Sequence, residues 1–335
     1  MNNIFEKIKI AFIVLLAVSG MEGFAQKSYN MQGFEMILEP LMQQMFSAKK
    51  DNERFAANEK FISEMEEALD YDKSFAYKFP KLDKINILTS KDKQFKIFTW
   101  AIADDNGTYE NYGFIQSKNK VTGEYQTFRL FDKSEQIMDE ENQKLDDSSW
   151  YGCVYYDLVE QSFDKRTYYV LLGWDGNDLY SRKKIIEPIS FKSDGRPVFG
   201  QNVFYKDKDR MRYVFEYSTD ANFTLKYGLQ YYDIVSNQKA KGSKFHKPKP
   251  FEKEPAKTEK DKMIFFDLLE PATMGMDDLK LYYVPSGEVV GLKFEGGKWK
   301  KIKHNILPRN KSEKNDDYEP NYNIQRTLFP KKTKK

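Results

Sequence analysis

The spacing of apolar residues changes once along this chain, near residue 85. Before that point Met31, Phe34, Leu38, Leu41, Met42 and Met45 recur at steps of three and four, the spacing of one helical face. Pro40 interrupts this run and is expected to break the helix. A second run, Phe55, Phe61, Ile62, Met65 and Leu69 among Glu and Lys, predicts another helix, with Asp51 and Asn52 as candidate N-caps. The segment 26–80 therefore reads as helical. Its Met-rich stripe suits core packing against the rest of the chain, or an adaptable peptide-binding face.

From Ile85 the period falls to two. Ile85-Asn86-Ile87-Leu88, then Phe95 to Trp100, Tyr109 to Ser117 and Gly123 to Phe131 predict a four-stranded meander, with Asp105-Asn106-Gly107 as a hairpin turn. Trp150 to Gln161, Arg166 to Trp174, Leu179 to Ile186 and Ile189 to Phe191 form a second group, turning at Phe163-Asp164-Lys165 and at Asp175-Gly176-Asn177-Asp178. Val198 to Tyr205, Met211 to Ser218, Phe223 to Leu229 and Tyr231 to Val235 make a third. Met263 to Leu269, Leu279 to Val284, Glu288 to Phe294 and Lys298 to Ile302 make a fourth. The fold class expected is mainly β: an antiparallel meander body over 81–305, propeller-like or sandwich-like, preceded by the helical segment.

Ahead of both patterns, Lys7 and Lys9 precede the apolar run Ile10 to Val18, and Gly23-Phe24-Ala25 places small residues before Gln26. That is the grammar of a cleaved signal peptide over 1–25. A spanning helix needs about 20 apolar residues, more than this run supplies, and no later stretch approaches that length. No cysteine follows the run, so a lipid anchor is not expected. Export to the periplasm or the cell exterior follows.

Composition sharpens this picture at three points. Tyr, Phe and Trp make up 16% of the residues, which favours pleated, half-buried surfaces. Cys153 is the sole cysteine, so no intramolecular disulfide forms, and its position inside an aromatic strand reads as a buried thiol. The net charge of +3 comes from two segments: nine Lys against four acids in 236–262, and eight basic residues against four acids in 309–335. The remainder is net acidic. The Lys- and Pro-rich stretch 238–262 and the tail 306–335 read as disordered, and no basic folded face for nucleic acid is expected.

Three blocks give a resemblance. Tyr169-Val170-Leu171-Leu172-Gly173-Trp174-Asp175, Gly195-Arg196-Pro197-Val198-Phe199-Gly200 and Met263 to Pro271, with Gly297-Lys298-Trp299, resemble an uncharacterised group of exported proteins from the Bacteroidota. The resemblance runs from Ile85 to His304. It implies export and carries no known activity.

Candidate chemistry is sparse. His246 and His304 have no partners at ligand spacing, and the acidic turns lack the spaced Asp pattern of a calcium loop, so neither metal nor cofactor is expected. With two histidines and no G-x-S-x-G, a serine triad is not expected. Trp100 and Trp174 each end a strand before an acidic turn, which makes Trp100, Trp174, Asp175 and Asp178 a candidate binding rim for a glycan or an envelope protein. The alternative is a carboxylate-based hydrolase of envelope glycans, drawing on Asp175, Asp178, Glu187 and Glu216. A non-enzymatic binding or scaffolding module is the leading expectation.

Overall fold

The computed structural model describes residues 30–234 and 257–302. The expected signal segment, residues 238–256 of the Lys-rich stretch, the tail and both histidines lie outside the described residues.

Two helices open the described chain, α1 (Met31–Ser47) and α2 (Asp51–Asp70). Asn30 caps α1, its Oδ1 accepting from the Gly33 amide at 2.9 Å. Pro40 lies inside α1 without ending it. The proline is exposed, so the Met36 carbonyl freed by its missing N–H faces water, which removes the main cost of the break. α2 starts at Asp51 itself, which places that acid in the first turn, at the positive end of the helix dipole, with Lys50 as its N-cap. The Met stripe of α1 is buried, with Met42 and Met45 fully so.

Thirteen antiparallel strands follow, in three sheets. Sheet 1 is the meander β1 (Asn86–Thr89), β2 (Phe95–Ala103), β3 (Tyr109–Lys118) and β4 (Tyr125–Leu130). Sheet 2 holds β5 (Val154–Phe163), β6 (Arg166–Asp175), β7 (Ser181–Phe191) and β8 (Pro197–Phe199), and β9 (Tyr213–Ser218) also pairs with β7. Sheet 3 is β10 (Leu225–Ile234), β11 (Lys257–Pro271), β12 (Tyr283–Glu295) and β13 (Lys298–Ile302). Four expected groups thus resolve into three sheets. The third group dissolves because β8 and β9 join sheet 2, while the two runs expected after Ser218 merge into the single strand β10 of sheet 3.

Residues 257–262, expected to be disordered, belong to β11. Their charges are accommodated because this arm of the β10–β11 hairpin is solvated, and Lys260 lies over the Tyr231 ring while Asp261 pairs with Lys293.

The sheets stack in layers because side chains alternate across each strand. Phe98, Trp100, Ile102 and Phe114 of sheet 1 pack with α1 and α2. Phe95, Ile97 and Ile115 turn the other way and meet Tyr169, Leu171, Ile185 and Ile189 of sheet 2. Val170, Leu172 and Ile186 then meet Leu225, Ile264 and Leu292 of sheet 3. The order is helix pair, sheet 1, sheet 2, sheet 3. A closed ring of blades would place another sheet on the face of sheet 1 that the helices occupy, so among the described residues the stacking is of the sandwich kind. No helix among the described residues is long and apolar enough to cross a membrane.

Candidate functional site

β3 and β4 pair from Lys118–Tyr125 as far as Gly113–Leu130, and then the chain leaves the sheet. The hydrogen bonds fix which way each backbone group points. The Lys118 amide donates to the Gln94 carbonyl at 2.9 Å, so even-numbered residues of β3 bond β2. The Asn119 amide donates to the Glu124 carbonyl at 2.8 Å, so odd-numbered residues of β3 bond β4. Continued register would next pair Asn111 with Asp132. Asp132 instead forms a parallel bridge with Trp150: the Trp150 amide donates to the Phe131 carbonyl and the Lys133 amide to the Trp150 carbonyl. Those two bonds use the groups of residues 131 and 133, leaving the N–H and C=O of Asp132 aimed back towards β3. Among the described residues, the backbone groups of Asn111 and Asp132 have no hydrogen-bond partner.

A cleft of about 420 Å³ occupies this fork. Asn111 and Asp132 form its floor, Ile62 and Tyr112 its apolar wall, and Glu135 and Gln136 its rim. The Asp132 carboxylate is held from below: Oδ1 accepts from the Ser134 amide at 2.9 Å, the Ser134 hydroxyl at 2.7 Å and the Gly152 amide at 3.2 Å. The Nδ2 of Asn111 donates both to Asp132 Oδ2 at 3.2 Å and to Asp175 Oδ1 at 3.3 Å. With both donors used, the buried Asn111 Oδ1 is left without a partner. Asn111 is 5% exposed and this oxygen is closed to solvent, so its unmet acceptor is costly.

Gly152 makes this floor possible. A Cβ at that position would sit 1.9 Å from Asp132 Oδ2. Gly152→Ala is expected to expel the carboxylate, destabilise the fold by about 2–4 kcal/mol and disorder 131–136, read as a lowered urea midpoint and faster exchange in that segment.

The expected rim residues lie elsewhere. Trp100 is fully buried under α2, donating from Nε1 to Asn58 Oδ1 at 2.8 Å, with the Phe61 ring edge-on at 5.3 Å. Trp174 is 2% exposed, packed on Ala101, Val154 and the Tyr109 ring. Both are core, on opposite faces of sheet 1. Asp178 closes its own turn by accepting from the amides of Tyr180 and Ser181 at 2.7 and 2.9 Å. Glu216 accepts from the Ser181 hydroxyl at 2.7 Å, and Glu187 is buried against Arg212. The two acidic turns do come together: Tyr109, just past the first, donates its amide to the Asn177 carbonyl of the second at 3.1 Å.

Asp175 alone among the expected acids touches the floor, from behind Asn111. Burial pushes its carboxyl up to about 6 and the Asp132 charge adds to this, while the Asn177 amide, Lys183 and Asn111 oppose the rise. A carboxyl raised in the folded state favours folding when protonated. This contribution is full below its unfolded value near 4 and is lost as pH rises through 6. Asp175→Asn is expected to remove that loss, flattening the pH 4–7 stability profile by on the order of 2–3 kcal/mol in urea titrations.

The chain matches no family model, no curated protein and no solved structure.

Asn111 and Asp132 are the residues that sequence reasoning missed. The available signal was an Asn, a poor strand former, near the start of a strongly patterned strand. Burial also pushes the Cys153 thiol well above its ordinary value, which makes it an unreactive core group.

Proposed function

We propose that this protein is an exported, non-enzymatic binding module of the cell envelope, and that its binding site is the cleft at the fork of β3 and β4. The observation that carries this reading is the set of hydrogen-bonding groups at the fork that the fold leaves unused: the backbone groups of Asn111 and Asp132. Such groups can exchange water for the partners that a ligand supplies. The acids favour binding over hydrolysis. Asp132 is fixed by four donors, and Asp175 is sealed behind Asn111, so the two do not present a pair of free carboxyls to one substrate. Export rests on the sequence pattern of residues 1–25 and on the resemblance stated above.

The test is hydrogen exchange on the full chain, with and without separated protein and glycan fractions of envelope extract. Slowed exchange in 109–113 and 131–136 with one fraction is the expected result. If no fraction alters those segments, the cleft is not a binding site.

A further inference from the structure

We infer that the occupant of the cleft is an extended peptide segment of a partner protein, inserted as a strand between β3 and residues 131–133. This rests on the binding reading and specifies its ligand. The geometry is that of a strand position left open. On one side of the fork, the N–H and C=O of Asn111 point away from β2; on the other, those of Asp132 point away from Trp150. A sheet requires such facing donor and acceptor pairs on both flanks of an inserted strand. An inserted residue bonding Asn111 would leave the next residue to bond Asp132, because backbone groups alternate.

The side chains of that segment alternate as well. On the helix side they meet Ile62 and Tyr112, which suits an apolar residue. On the sheet 2 side they meet the Asn111 side chain and the half-buried Asp132 carboxylate, which suits a donor such as Ser, Thr or Lys. The ligand class is therefore a short extended peptide alternating apolar and donor-bearing residues. Recognition by strand addition draws its affinity from main-chain bonds and its specificity from alternate side chains.

The experiment selects binders to the full chain from a displayed library of random nine-residue peptides, then resynthesises the strongest with single N-methylated backbone amides. Two adjacent positions are expected to lose roughly tenfold in affinity on methylation while the others tolerate it. Binding should also slow exchange at the Asn111 and Asp132 amides. Gln136→Trp, which crowds the exposed rim, should weaken binding by a similar factor without lowering the thermal midpoint.

Uniform tolerance of N-methylation, or unchanged exchange at both amides, overturns strand addition. If no peptide binds but an envelope oligosaccharide fraction protects 109–113, strand addition is wrong and the binding reading stands. If neither probe protects the cleft, both are wrong.

Discussion

Replacing Arg212 with Met is expected to destabilise the protein by about 3–5 kcal/mol, because it strands a buried carboxylate. Arg212 and Glu187 are both fully buried, with Nε to Oε1 at 2.8 Å. Glu187 stands on β7 between Ile185 and Ile189, both of which belong to the core shared by sheets 1 and 2. Burial pushes its carboxyl up, and the Arg212 charge and hydrogen bond oppose that rise. The guanidinium also donates to the Glu140 carbonyl and to the Phe199 carbonyl, so one side chain ties β7, β8 and the loop at 140–141 together. Removing it leaves a desolvated acid and two carbonyls short of a donor. Replacing both members, as Arg212→Met with Glu187→Leu, is expected to recover much of the loss, since an apolar pair of similar size avoids the desolvation cost. Urea unfolding of the two single variants and the double gives the coupling directly. A single-variant loss below about 1 kcal/mol would mean that water reaches this pair.

Trp100→Ala carries a comparable cost, about 3–5 kcal/mol, through a cavity rather than a charge. The indole fills the space between α2 and sheet 1, stacks on Tyr112 at 5.9 Å and holds Asn58 by its N–H. Truncation empties that volume and leaves the buried Asn58 oxygen without its donor. The helix pair covers the outer face of sheet 1 largely through this contact and those of Phe98, Ile102 and Phe114. The variant is expected to lower the thermal midpoint and to raise exchange in 51–70 ahead of the strands of sheet 3. A uniform loss across all three sheets, with no preference for α2, would contradict this layered account.

Much of the fold is legible in the sequence because local periodicity sets which face each residue occupies. The first meander is found almost strand for strand, and Gly107 at φ 83° and the Asp164-Lys165 pair at φ 48° and 59° adopt the turn conformations their positions predict. Partner choice is less legible. Nothing local in Tyr213–Ser218 says that it pairs with β7 rather than with its sequence neighbours, because pairing is decided by which buried faces meet. Composition misleads at 257–262, where charge suggests a solvated loop but cross-strand partners hold a strand. Trp100 and Trp174 mislead in the opposite direction. An aromatic at a strand end before an acidic turn suits a rim as well as a core, and only the helix pair and the neighbouring sheet bury them. Beyond the lone Asn in a patterned strand, the cleft was not legible, because it is a place where register stops, and Leu130 is followed by residues whose partner, Trp150, is distant in sequence.

Amide-resolved hydrogen exchange of the unliganded protein tests the open strand position at Asn111 most directly. Glu110, Tyr112 and Gly113 donate within the sheet, whereas Asn111 has no acceptor for its N–H despite being 5% exposed. The Asn111 and Asp132 amides should therefore exchange far faster than those of Tyr112, Gly113 and Ile115, with protection restored on binding. Protection of Asn111 equal to that of Ile115 in the free protein would mean that β3 is fully paired there, and that the cleft offers no strand position to fill.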